Sequence, residues 1–139
     1  MVLLGRLHPL LVHFPIGLVI LAALAEAVAT VADDCRWRTV AVANIRAGAA
    51  FGLLAAIAGW RLALAPGVES SALLDSHQWL GAIAAGTALA AALASSGADG
   101  RSPFEFWVYR ITLFSAAALV AVTGHFGGLL VWGADFLRL

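Results

Sequence analysis

Lysine is absent from the 139 residues, so all eight basic side chains are arginine, and eight acids match them. That balance excludes the basic stripe of a nucleic-acid binder and the like-charged run of an acidic tail. Charged residues make up 12% of the chain, about half the share of an average soluble domain. Cysteine occurs once, at Cys35, so no disulfide forms within one chain, and the C-x-x-C-H string of covalent haem is missing. Nucleophile elbow, phosphate-binding loop, dinucleotide fingerprint and H-E-x-x-H are missing too, as is any internal repeat. What remains is apolar: 63% of the residues are hydrophobic, and they run in long blocks. Blocks of that kind point to a lipid bilayer as the solvent.

A membrane helix needs roughly 20 mostly apolar residues, because about 30 Å of hydrocarbon is crossed at 1.5 Å per residue. Four stretches qualify: about Leu10 to Ala32, Thr39 to Ala65, His77 to Ser96, and Phe106 to Trp132. The segments between them carry turn formers and charge, such as Asp33-Asp34-Cys35-Arg36, Pro66-Gly67 and Gly97 to Pro103. Their length excludes transmembrane strands, which need only about 9–11 residues. The expected fold is all-α: an integral membrane four-helix up-down bundle with short connections, one transmembrane domain over residues 1–139.

Ala27-Val28-Ala29 resembles a signal-peptide cleavage site, but His13 and Pro15 interrupt the first apolar run, which therefore reads as a span. In an up-down arrangement Arg36, Arg38, Arg46, Arg101 and Arg110 fall toward one side, and Arg6, Arg61 and Arg138 toward the other. Five against three leans toward periplasmic termini in a bacterial inner membrane.

Lipid gives helices no hydrophobic reason to associate, so small residues at close contacts matter more. Gly48 and Gly52 form a G-x-x-x-G pair on the second span, and Gly124 and Gly128 another on the fourth. These read as packing seams. On the fourth span the seam also carries a histidine, which admits a second reading: backbones set back to accept a flat ligand.

The four histidines are His8, His13, His77 and His125, and the topology puts all four in one half of the membrane. An ionisable side chain within a span marks a functional site by default. His8 and His13 are five residues apart, so they point about 140° away from each other on a regular helix. Pro15 denies the carbonyl of Leu11 its partner, and either a kink or an irregular lead-in over residues 8–14 is expected. Both options turn His13 toward the interior and leave His8 as a capping or surface residue. His125 stands in Gly124-His125-Phe126-Gly127-Gly128, where missing side chains open a groove closed by Trp132. Such a groove suits a porphyrin held by imidazoles from two helices. A copper or zinc site, a quinone contact, or a histidine that bonds a neighbouring helix are the other readings.

On this reading His13 and His125 are axial ligands of a haem b, and His77 substitutes for either or shares a second site with His8. Arg61 is the candidate partner for propionates. The same four histidines are the candidate ligands for copper or zinc. Trp60, Trp79 and Trp132 fit an outer aromatic belt, and Trp37 and Trp107 an inner one. At that inner side Glu26 is expected to pair with Arg46 or Arg110. Besides the bilayer, the expected partners are membrane or periplasmic redox subunits or a second copy of the chain, with no nucleic acid. A non-catalytic assembly subunit of a larger membrane complex is the competing function.

Three strings resemble a known family. Leu7-His8-Pro9-Leu10-Leu11-Val12-His13-Phe14-Pro15-Ile16 is similar to the opening of the small bacterial inner-membrane proteins grouped as domain of unknown function 2231. His77-Gln78-Trp79-Leu80-Gly81 resembles the start of that family's third span. Gly124-His125-Phe126-Gly127-Gly128-Leu129-Leu130-Val131-Trp132-Gly133 resembles its closing signature. The resemblance covers nearly the whole chain. It implies a compact four-span unit, with some relatives linked to cytochrome-containing proteins, and carries no established reaction.

Overall fold

A computed structural model describes residues 5–133. Among these residues there is no strand. A short helix α1 (His8–Leu11) leads into α2 (His13–Val31), and together they make a first span of 24 residues. Helix α3 (Cys35–Ala63) is the second span. The third is α4 (Ala72–Ala94), extended by a 3-10 turn at Ser95–Gly97. The fourth is α5 (Pro103–Trp132). The four-helix membrane bundle expected from the apolar blocks is the fold that forms.

The helices begin earlier than the apolar blocks do, because capping extends a helix through polar first turns. Asp34 accepts the backbone N–H of Arg36 at 3.0 Å and starts α3 four residues before Thr39. Ser71 accepts from Leu74 N–H at the head of α4, and Ser102 from Glu105 N–H at the head of α5, followed by Pro103. The first connection is tight enough to need a left-handed residue. Asp33 supplies it at φ 49°, and the next N–H, that of Asp34, closes onto the carbonyl of Ala29 at 3.2 Å.

The irregular lead-in does not occur: the first span is divided at Val12, but helical turns flank it on both sides. Val12, between α1 and α2, keeps helical dihedrals (φ −63°, ψ −25°) and donates its N–H to His8. Ile16 N–H in turn reaches the Val12 carbonyl at 3.3 Å, so the helix runs almost unbroken past Pro15.

Neighbours in sequence pack side by side, and the first and fourth spans close the ring, which leaves the first and third as diagonal partners. The interior is built largely of alanine, including Ala22, Ala41, Ala58, Ala88, Ala91 and Ala116. Small side chains bring the helix axes close. Gly48 shows how close: a Cβ there would stand 2.8 Å from Cγ2 of the fully buried Val19. The large apolar side chains, such as Val31, Leu93 and Phe104, point outward. That inside-out distribution suits a protein whose solvent is lipid.

Candidate functional site

The helical period decides which histidines meet. The first span continues as a helix from His8, so His8 and His13 cannot both face inward. His8 takes the interior: it is half-buried, and its Nδ1–H donates to the carbonyl of Ala55 on the second span at 2.9 Å. His13 is turned outward and exposed. This corrects both expectations for these residues, and the reason is that Val12 keeps helical dihedrals and so carries the helical period from His8 to His13.

His77, in the second turn of α4, donates its Nδ1–H to the carbonyl of Thr123 on the fourth span at 3.1 Å. Its ring stands edge-on to that of His8, with centres 6.1 Å apart and planes at 76°. Spans one and three are thereby joined across the bundle, while the two hydrogen bonds tie in spans two and four. A carbonyl can only accept, so Nδ1 carries the proton on both rings, and in the neutral form each Nε2 keeps a lone pair.

Two glycines make room for these rings. A Cβ on Gly59 would lie 2.7 Å from Cε1 of His8, and one on Gly127 would lie 3.0 Å from Cε1 of His77. Gly127 is therefore the glycine of the closing motif that the interior requires. Gly124 would meet Ile16 only at ordinary contact distance, and Gly128 has nothing within 4 Å. The groove expected around Gly124 and Gly128 does not form as one face, because Gly124 packs against Ile16 of the first span while Gly128 meets open space. The inner seam of the fourth span runs through Tyr109, Leu113, Ala116 and Val120, and His125 lies off it and exposed. Trp60, next to Gly59, and Trp79, two residues after His77, pack edge to face at 5.5 Å. Arg61 stands two residues beyond Gly59, at the same end of the bundle.

A second polar cluster sits at the opposite end. Glu26 is fully buried. Its carboxylate accepts from Arg38 Nε at 3.3 Å, lies 3.5 Å from Arg110 Nε, and accepts from Tyr109 Oη–H at 3.4 Å. The pairing with Arg110 is the expected one. Arg46 instead donates to Ser95 Oγ at 2.9 Å, and Arg38 takes its place. Neither Arg38 nor Tyr109 is expected on Glu26 from the sequence. The available signal was that both stand near the same end as Glu26 in an up-down bundle, but which face each presents depends on how the helices are rotated.

The family model described as "Predicted membrane protein (DUF2231)" matches residues 6–136. The chain belongs to this family. Neither a curated protein nor a solved structure matches it. The DUF2231 resemblance read from the three strings therefore holds, and the opening and third-span strings contribute the paired imidazoles.

As a donor set, the pair offers two neutral imidazoles from two helices, each fixed by a backbone carbonyl. Metal-ligating histidines are normally held in this way through their other ring nitrogen. Among the described residues no group of three or more His, Cys, Asp or Glu stands ready for a metal. Zinc takes three or four protein ligands, whereas haem brings four equatorial nitrogens and takes its axial ligands from the protein. The DUF2231 pair offers two imidazoles, fewer than a zinc site needs, and their Nε2 atoms would be the ones to hold a haem iron.

Proposed function

We propose that the protein is a b-type-cytochrome-like membrane subunit in which His8 and His77 are the axial ligands of a haem b. The observation that carries this reading is the 6.1 Å juxtaposition of two carbonyl-anchored imidazoles from diagonal spans. Haem, when bound, supplies one-electron chemistry, with a quinol as the donor class. The chain's own residues fix the two rings, keep Nε2 free, and exclude bulk water with the alanine-lined bundle. Arg61 lies at the correct end for a propionate. With five arginines against three toward the opposite end, the histidine end and both termini face the periplasm of a bacterial inner membrane.

The test is an optical spectrum of the detergent-solubilised protein, oxidised and then reduced with dithionite. A Soret band and a reduced α-band are expected, with loss of both in His8→Ala and His77→Ala and retention in His13→Ala. Porphyrin-free protein that carries copper or zinc by elemental analysis would replace haem with a metal site. Absence of both would overturn the cofactor reading.

A second reading rests on His125. This imidazole points out of the bundle from within the fourth span, whose buried residues are Tyr109, Leu113, Ala116 and Val120. A polar ring facing hydrocarbon is unfavourable, and Gly128 leaves the backbone beside it accessible. This face supports an assembly role, against another membrane subunit or a second copy. Its signature is a change in co-purification or oligomeric size in His125→Leu, with any optical spectrum unchanged.

A further inference from the structure

The cluster at the opposite end from the histidines is not balanced in charge. One carboxylate, that of Glu26, faces two guanidiniums, those of Arg38 and Arg110. Tyr109 donates a hydrogen bond but brings no charge. The carboxylate is sealed in the interior at 0% exposure, while the two arginine side chains remain 23% and 17% exposed. Arg38 gives Nε–H to both carboxylate oxygens, and Arg110 gives an Nη2 hydrogen to Thr30 Oγ1 at 2.6 Å. Among the described residues, the Nη groups of Arg38 and Nη1 of Arg110 have no protein acceptor. No buried side-chain nitrogen or oxygen lacks a partner, so these groups reach the outside.

Their depth identifies what is outside. The fourth span has 30 residues, about 45 Å by helical rise, against about 30 Å of hydrocarbon. Arg110 is seven residues from its start and Arg38 three residues from the start of α3, so both guanidiniums stand near the hydrocarbon boundary. Both guanidinium carbons lie over the Phe106 ring, 5.0 and 5.2 Å from its centre, and that of Arg110 is 5.3 Å from the Trp107 ring. Exposed Phe104, Trp107 and Ile111 continue along the same helix as an apolar surface for acyl chains. The other acids at this end are otherwise disposed. Asp34 pairs with Arg36 and Asp99 with Arg101, Glu105 packs against Gly97, and Asp33 is exposed in the connection.

We infer that Arg38 and Arg110 bind the phosphate of an anionic phospholipid, held between spans one, two and four. The guanidinium forks match phosphate oxygens, the residual positive charge matches a headgroup without an ammonium, and the aromatic rings flank the glycerol level. Glu26 keeps the two arginines in place from behind and limits the net charge to one.

The test uses the intact protein, delipidated in detergent and titrated with phosphatidylglycerol or phosphatidylcholine, with retained lipid read by native mass spectrometry. Phosphatidylglycerol is expected to be retained about fivefold more tightly, the factor that one interfacial charge supplies. Arg38→Leu leaves Glu26 one arginine and should abolish that preference, as should Arg110→Leu. Arg36→Leu and Arg101→Leu remove arginines already paired with exposed acids and should leave it intact. Equal retention of the two lipids by the wild type overturns the inference, and this comparison requires no variant to fold. Displacement of phosphatidylglycerol by millimolar inorganic phosphate also overturns it, in favour of a small-anion site.

Discussion

His8 and His77 meet edge to face across the diagonal of the bundle, each with its Nδ1–H on a carbonyl of the next span. This contact joins spans whose backbones scarcely touch. It therefore depends on the two glycines beneath the rings more than on the histidines' immediate neighbours in sequence.

Gly59→Ala and Gly127→Ala are expected to displace the His8 and His77 rings respectively. Overpacking of this kind costs about 1–3 kcal/mol. Gly128→Ala meets open space and should be neutral or stabilising by about 1 kcal/mol through helix propensity. Thermal unfolding in detergent measures all three. Equal effects at Gly127 and Gly128 would remove the structural basis of the pair.

Glu26→Ala should be among the most damaging single substitutions in the chain. It strands two partly buried arginines, and loss of one member of a buried ion pair costs about 3–5 kcal/mol. Tyr109→Phe removes only a long neutral-donor bond and should cost about 1 kcal/mol. The ranking, read as folded yield and melting temperature, is the prediction.

Acid should weaken the connections before the core. Hydrogen bonds from Arg36 hold the Asp34 carboxyl below its ordinary range, and those from the Arg101 backbone and side chain do the same for Asp99. A lowered folded value means the stabilisation is present above the unfolded value of about 3.9 and is lost as pH falls through the lower folded one. Asp34→Asn keeps the capping oxygen but loses the charge, so its helical signal at 222 nm should fall less steeply below about pH 4 than that of the wild type. Identical acid limbs would contradict this.

Asp33 supplies the left-handed turn between the first two spans. Asp33→Gly should stay within about 1 kcal/mol of the wild type, since relieved strain offsets the greater freedom of the unfolded chain. Asp33→Val should lose about 1–2 kcal/mol, because a β-branched residue is strongly disfavoured there. Chemical denaturation of the two variants tests the difference.

Much of the architecture was legible in the residues. The apolar blocks placed four spans, and caps at Asp34, Ser71 and Ser102 explain why each helix starts a turn before its block. The shared end of the histidines was legible as well, since it follows from chain direction alone. The pairing was not. His13 looked like the inward residue because Pro15 implied a break, yet Val12 carries the helix through. Gly124 and Gly128 looked like the ligand groove, while the spacing of Tyr109, Leu113, Ala116 and Val120 turns Gly127 inward instead.

The sequence by itself determined the solvent, the number of spans and the end of the bundle at which each polar group lies. Those are properties of one helix at a time: length, hydropathy and direction. Only the tertiary structure decided that His8 faces His77, that Arg38 joins Arg110 on Glu26, and that His13 and His125 point outward. These depend on the rotation of each helix about its axis, which a nearly uniform alanine and leucine surface leaves open. The rotation is fixed where helices interlock, at Gly48 against Val19, Gly59 against His8 and Gly127 against His77.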